Sequence, residues 1–505
     1  MKNNKIYLIG FLTVALSLGT LSSCEVVDQK PLSELTKEQF YKTRADATAV
    51  LNSCYDAMQD LVEDFFVYGE GRGDLVMDSW GMNCCGRNGS DNLRLWQQTL
   101  TPDNYFTGWT RWYQLINRTN NVITYVPGIP DVSYTAVLKG ESVGQAQYIR
   151  ALSYFYLLRN FGDVPLVLEP SESSDQDFQV SRTPVAEVLA QIEKDLIAAR
   201  TGLRAYNPGA NNRVLVTVGA VNALLTEVYL WQNKYQEAYD ASVAVTTSPV
   251  PYSLIPTDPT NTRPNLKTSD FTKIFWTKSN SEIIFSLAFD AAQTETQRLQ
   301  NMTDFARGGS YQYQPSLKAR SLWISENDFV RGDGASYRGG ATGDARIWKW
   351  IGVDFGTPIP NAQASDRNWI IHRLADVLLL RAEAANRLGR KQEAVDLINQ
   401  IRARVGLATT PVTAASPTEA IEDAVLRERA LELAYEGKRW FDLVRVGRRR
   451  SSVLVDNVAS ALPPTQLFRA ADVRRVLTDS RSWVLPLNRF ELLGNPKLVQ
   501  NEYYK

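Results

Sequence analysis

The sequence predicts a mostly α-helical protein, a tetratricopeptide-like helical scaffold with an inserted irregular, loop-rich region. Three observations predict it. Apolar residues recur at three- and four-residue spacing over much of the chain, strand signals are sparse, and one helix-turn-helix pattern occurs twice. With 505 residues, 44% hydrophobic and 22% charged, the chain has the profile of an ordinary folded protein with a large core.

Taken in order, the N-terminus comes first. Lys2 and Lys5 precede an apolar run from Ile6 to Leu21, too short and wrongly flanked to span a membrane, as in a secretory signal peptide. The run ends in Leu21-Ser22-Ser23-Cys24, a bacterial lipobox in which Cys24 would be acylated and become the mature N-terminus. Residues 1–23 are therefore expected to be removed, leaving 24–505 anchored by lipid. Cys54, Cys84 and Cys85 remain, with neither the spacing of a metal or redox site nor the even count of a disulfide scaffold. One bridge from Cys54 to Cys84 or Cys85 stays open, and no metal or cofactor is expected.

Helical periodicity marks 36–61, 103–125, 142–160, 183–201, 218–246, 370–404 and 417–446. Thr36 and the Thr183-Pro184 pair are suitable helix starts. Within 218–246, Leu224 to Glu227 leads to Tyr235-Gln236-Glu237-Ala238; within 370–404, Leu380 to Glu383 leads to Lys391-Gln392-Glu393-Ala394 in the same register. The small Ala238 and Ala394 would let paired helices approach closely. Residues 282–289 are the best strand. The stretches 247–275 and 290–368, rich in Pro, Gly, Thr, Asn and aromatics, read as long loops, which in compact proteins are often functional. His372 is read as opening an amphipathic helix.

Composition excludes several functions. The 55 Lys and Arg balance 55 Asp and Glu, against a general nucleic-acid binder. A single histidine, His372, leaves little room for Ser-His-Asp or Cys-His nucleophile systems or histidine-rich metal centres.

Further motifs carry a family resemblance. Gln145 to Leu157 with Phe161-Gly162-Asp163-Val164-Pro165-Leu166 resembles the SusD/RagB family of Bacteroidetes outer-membrane nutrient-binding lipoproteins. So do Arg373 to Glu383, Asp344-Ala345-Arg346, Glu428-Arg429 with Glu432, Glu436-Gly437, Arg439 and Asp442-Leu443, and the tail from Pro486 to Asn501. The ordered set covers essentially the whole chain, although the tail lacks the usual Pro-Gly after Asn501. The resemblance implies a surface protein that binds oligosaccharide, or in some branches peptide, without cleaving it and delivers it to a TonB-dependent SusC-like transporter. A glycan hydrolase using two carboxylates, or a protein-binding scaffold, are the alternatives.

Most of these motifs read as structural. Glu428, Arg429, Glu436 and Arg439 lie at helical spacing as paired charges, and Arg445, Arg448, Arg449 and Arg450 read as a solvated helix-end cluster. Trp109, Trp112, Trp231 and Trp440 read as core. Loop aromatics offer the site, because a sugar's C–H face packs on a flat ring while planar polar groups hold its hydroxyls. Two regions combine them, Glu70 to Gln97 and Tyr311 to Trp350, the second including Tyr337. Trp96 and Trp323 are expected to form a shallow surface platform with Asp74, Arg94 and Tyr311, and Trp80 with Trp348 stand in reserve. If the lipobox is used, Cys24→Ala yields protein that leaves the membrane fraction on dilution, whereas unchanged fractionation contradicts acylation as the anchor.

Overall fold

The computed structural model describes residues 37–78, 89–172, 175–204, 213–258, 270–290, 313–339, 345–350, 367–462 and 469–505. Two compact units result. Residues 1–42 form one, whose described part holds a short helix, Lys37–Phe40; Thr43–Lys505 form the other. Cys24, Thr36, Trp80, Cys84, Cys85 and Tyr311 lie outside the described residues.

The second unit opens with α1 (Arg44–Gln59), started by a capping box in which Thr43 and Asp46 satisfy each other's backbone N–H groups. Then come α2 (Val62–Glu70), α3 (Gly89–Trp96), α4 (Thr110–Tyr125), α5 (Ala136–Phe161) and α6 (Val185–Gly202). Thr135 caps α5, and Gly162 at φ 74° ends it, a conformation that costs glycine little. Cys54, on α1, is buried and has no bridge among the described residues, and burial pushes its thiol up to about 12.

The duplicated pattern forms two helix pairs, α7 (Val218–Trp231) with α8 (Tyr235–Thr246), and α10 (Leu374–Arg387) with α11 (Lys391–Arg404). Between them lies α9 (Leu317–Glu326). Ala238 and Ala394 are fully buried, as close approach requires. The pairs, far apart along the chain, meet in space. Tyr239 Oη donates to Glu393 at 2.9 Å, and Arg381 Nε donates to Ser242 Oγ at 3.0 Å. Leu378, Ala382, Ile398 and Ile421 share one apolar cluster between α10, α11 and α12 (Thr418–Leu433), and burial of each leucine or isoleucine side chain there is worth about 2 kcal/mol.

Strands are few and short. They pair as β1 (Val76–Asp78) with β3 (Tyr313–Pro315), β2 (Ile283–Leu287) with β6 (Trp369–Arg373), and β4 (Tyr337–Arg338) with β5 (Arg346–Ile347), all antiparallel. His372 therefore sits inside β6 and does not open a helix. Periodicity across 367–373 is masked because every β6 side chain is buried.

The 417–446 stretch breaks into α12 and α13 (Arg439–Gly447), followed by α14 (Ser451–Ala459) and α15 (Ala470–Thr478). At the break, Tyr435 and Gly437 have φ of 67° and 74°. Gly69 on α2 lies against this turn so closely that an added Cβ would stand 1.9 Å from the Gly437 carbonyl oxygen. Glu70 Oε1 accepts the Gly437 and Lys438 N–H groups at 3.0 and 3.3 Å, while burial pushes its carboxyl up to about 8.

Charged residues of α12 and of the turn after it face inward. Glu428, Glu432 and Glu436, four residues apart, are buried and gripped by cations from four other segments. Arg331 reaches Glu428 at 2.6 Å and Glu432 at 3.0 Å; Arg373 reaches Glu432 at 2.6 Å and Glu436 at 2.7 Å. Lys349 reaches Glu436 at 2.8 Å, Arg402 reaches Glu428 at 3.1 Å, and Arg404 pairs with Glu432. Three of the four arginines at 445–450 are likewise paired with carboxylates, while Arg448 is exposed. Arg445 meets Glu383 at 2.7 Å, Arg449 meets Glu383 at 2.9 Å, and Arg450 meets Glu422 at 2.8 Å; Arg448 lies over the Trp231 ring and donates to its carbonyl at 2.7 Å.

Burial by itself would raise Glu383, but Arg445 and Arg449 outweigh it and bring the carboxyl from 4.5 to about 2. Its stabilisation, on the order of 3 kcal/mol, is complete above about pH 4.5 and lost as pH falls through about 2. Glu383→Gln should thus be less stable than the parent at neutral pH, with the difference shrinking between pH 4.5 and 2. A denaturant series showing a constant difference would refute this linkage.

Candidate functional site

The loop-rich region folds around α9. Ser316 caps it, its Oγ accepting the Ala319 N–H at 3.0 Å, and Asn327 ends it at φ 55°. The chain then turns back through Asp328, whose carboxylate takes the Arg331 N–H at 3.0 Å and Nε at 2.6 Å. Gly332 fits beneath, since a Cβ there would lie 2.7 Å from the Asp328 carbonyl oxygen and 3.0 Å from Trp323 Cβ. β4 and β5 close the module.

These turns enclose a cavity of about 450 Å³ whose walls include Trp323, Tyr337, Phe329, Ile324, Leu317 and Arg320. The Trp323 and Tyr337 rings lie 5.4 Å apart at 32°. Trp323 Nε1 donates to the Leu431 carbonyl on α12 at 3.2 Å, which fixes the indole. Ile324 and Phe329 stand at the mouth, 60% and 42% exposed. Asp328 and Asp333 also line the space. The arrangement offers apolar ring surface of the kind that packs on a sugar's C–H face.

The expected shallow platform is not what these residues make. Trp96 is 3% exposed at the end of α3, and Trp323, at 2%, is a packed wall of the cavity and not a surface ring. Asp74 is fully buried, with Arg439 at 2.6 Å and Lys318 at 2.8 Å. Burial favours its neutral form, but those cations reverse the effect and hold its carboxyl well below the usual range, so it ties α9 to α13 and faces no ligand. Arg94 is half-exposed, 3.7 Å from Asp91. Of the reserves, Trp348 is 2% exposed under the Arg338 guanidinium, 4.7 Å from its ring centroid. Large aromatics in irregular segments pack under the loops as satellite core, which composition alone does not distinguish from a binding surface.

Ile324 and Phe329 escaped sequence reasoning. In α9 the apolar Leu317, Leu322, Trp323 and Ile324 are spread around the helix, so no amphipathic stripe marks it. Their signal would have been apolar side chains beside the polar turn 325–328.

Among the described residues, Glu227, His372 and Asp376 form the one group with metal-ligand geometry. Lys438 Nζ already lies 2.8 Å from Glu227 and 3.1 Å from Asp376, and His372 Nε2 is 2.8 Å from Tyr148 Oη. The protein's own ammonium fills the cation position. Burial lowers the His372 pKa despite Glu227 beside it, as suits a neutral, structural imidazole. No helix among the described residues is long and apolar enough to cross a membrane.

Residues 330–504 match the model described as the SusD family, and residues 27–230 match one described as starch-binding associating with outer membrane. The chain is 29% identical to SusD-like protein P38 of Formosa agariphila, over 100% of both chains. A SusD superfamily protein of Bacteroides vulgatus superposes with a TM-score of 0.73 at 23% identity, covering 92% of this chain and 99% of that one. A laminarin-binding SusD-like protein gives 0.69 at 24% identity, covering 92% and 100%.

Proposed function

The chain belongs to the SusD family, and from that premise we propose that it is a non-catalytic outer-membrane lipoprotein that captures an oligosaccharide at the α9 cavity. The observation that carries this reading is the aromatic-walled space of about 450 Å³ formed by Trp323, Tyr337 and Phe329. Such a volume lies within the range of small-ligand sites and accommodates one or two sugar rings at a time. Capture followed by release favours moderate affinity, which a mouth with exposed Ile324 and Phe329 supplies without full enclosure.

Delivery to a SusC-like TonB-dependent transporter and anchoring through Cys24 complete the proposal. A starch-binding, outer-membrane family description and a laminarin-binding relative of the same fold support it. Hydrolysis fits the cavity less well, because both Asp328 oxygens are committed to Arg331.

Mature protein titrated with a broad oligosaccharide panel, including laminarin and starch fragments, should quench tryptophan fluorescence with no product formed. Phe329→Ala should weaken binding roughly tenfold with little change in melting temperature, as for loss of one ring contact. Binding unaffected by Phe329→Ala, or turnover of the sugar, would overturn the reading.

A further inference from the structure

A second cavity, of about 470 Å³, lies between α4, the segments 165–171 and 176–180 and the C-terminal segment 491–498. Its wall is the Trp109 and Tyr113 pair, 5.7 Å apart at 71°. Both rings are held in place. Trp109 is buried, and Tyr113 Oη donates to the Pro165 carbonyl at 2.6 Å. Phe178 stands at the opposite side, 55% exposed, an apolar ring that folding has left uncovered.

Polar groups line the rest. Asn117 accepts the Ser171 N–H at 2.8 Å through Oδ1, which leaves its NH₂ to donate. The Glu169 side chain has no hydrogen bond or ion pair among the described residues, so its carboxylate is available as an acceptor. The charged side chains lining the space are Glu169, Asp177 and Glu491, all carboxylates. Asp177 is neutralised by Lys497 at 2.8 Å, and Glu491 accepts the Trp109 N–H and the Thr110 hydroxyl at 3.2 and 2.9 Å. Glu169 and Glu491 thus keep charges that no cation offsets, and of the two only the Glu169 side chain is free of hydrogen bonds among the described residues.

We infer that this cavity is a second carbohydrate site, taking a neutral or amine-bearing sugar and rejecting uronic or sulfated ones. The part-exposed Tyr113 ring, backed by buried Trp109, and the exposed Phe178 ring supply apolar contact surface, while Asn117 and Glu169 supply a donor and an acceptor for hydroxyl or ammonium groups. An anionic sugar would meet Glu169 with no lining cation to offset the repulsion. The α9 cavity is different, since Arg320 lines it. The inference rests on the glycan-binding reading for its ligand class and adds a site and a charge preference.

The test uses the mature protein, its Phe178→Ala, Glu169→Lys and Phe329→Ala variants, and an array of neutral, amino and uronic oligosaccharides, with calorimetric titration of the strongest neutral or amino binder. Phe178→Ala should weaken one of two binding events about tenfold and leave intact the event that Phe329→Ala weakens. Glu169→Lys should abolish the amino-sugar preference and admit uronic sugars. Both substitutions are at exposed positions, so melting temperatures should match the parent. Glycan binding in a single event, sensitive to Phe329→Ala and indifferent to Phe178→Ala and Glu169→Lys, would overturn the second site while the first stands. Absence of binding to every sugar would overturn both.

Discussion

The fold depends on a ridge of buried negative charge along α12 and the turn that ends it. Glu428 and Glu432 lie one helical turn apart on α12, Glu436 follows just past its end, and burial takes all three out of bulk solvent. Each must therefore be met by a cation, and the cations come from segments that share little else: Arg331 and Lys349 from the loop-rich region, Arg373 from β6, Arg402 and Arg404 from α11. Removing one partner leaves a buried charge uncompensated, which typically costs about 3 to 5 kcal/mol. This penalty is what makes the ridge specify a geometry. The loop-rich region has only short two-stranded ladders among the described residues, and charge pairing supplies further fixed points.

The consequences reach the cavity directly. Arg331 is held by Glu428 and Glu432 and in turn holds Asp328, so the turn that closes α9 is pinned from below. The Trp323 indole is bonded to the Leu431 carbonyl on the same helix, and Lys349 donates to the Ala434 carbonyl at 2.8 Å just beyond it. Helix, turn and aromatic wall are thus staked to one element. Preorganisation of this kind lowers the ordering cost of binding, and leaves Ile324 and Phe329 as the parts of the site that remain in solvent.

The helical scaffold was legible in the sequence because its signals are local. The Leu224 and Leu380 patterns lead to real helix pairs, and the charged positions Glu428, Arg429, Glu436 and Arg439 proved to be paired. Arg429, for example, bridges Asp376 and Asp442 at 2.7 and 2.8 Å. Their partners were not legible, since Arg331 and Glu428 are 97 residues apart and no periodicity links them. The site suffered for the same reason. Asp74 looked like a ligand carboxylate until Arg439, 365 residues away, accounted for it, and Trp96 looked like a loop ring until burial placed it in the core. His372 was misassigned because a fully buried strand and the start of a helix share the same apolar run.

Amide hydrogen exchange of Glu432→Gln tests most directly whether the α12 ridge holds the cavity in place. The account predicts that protection falls first and most in residues 313–339 and 345–350, while α5 and α6 keep the parent's protection. Equal loss across α5, α6 and the cavity segments, or no loss in the cavity segments, would contradict it.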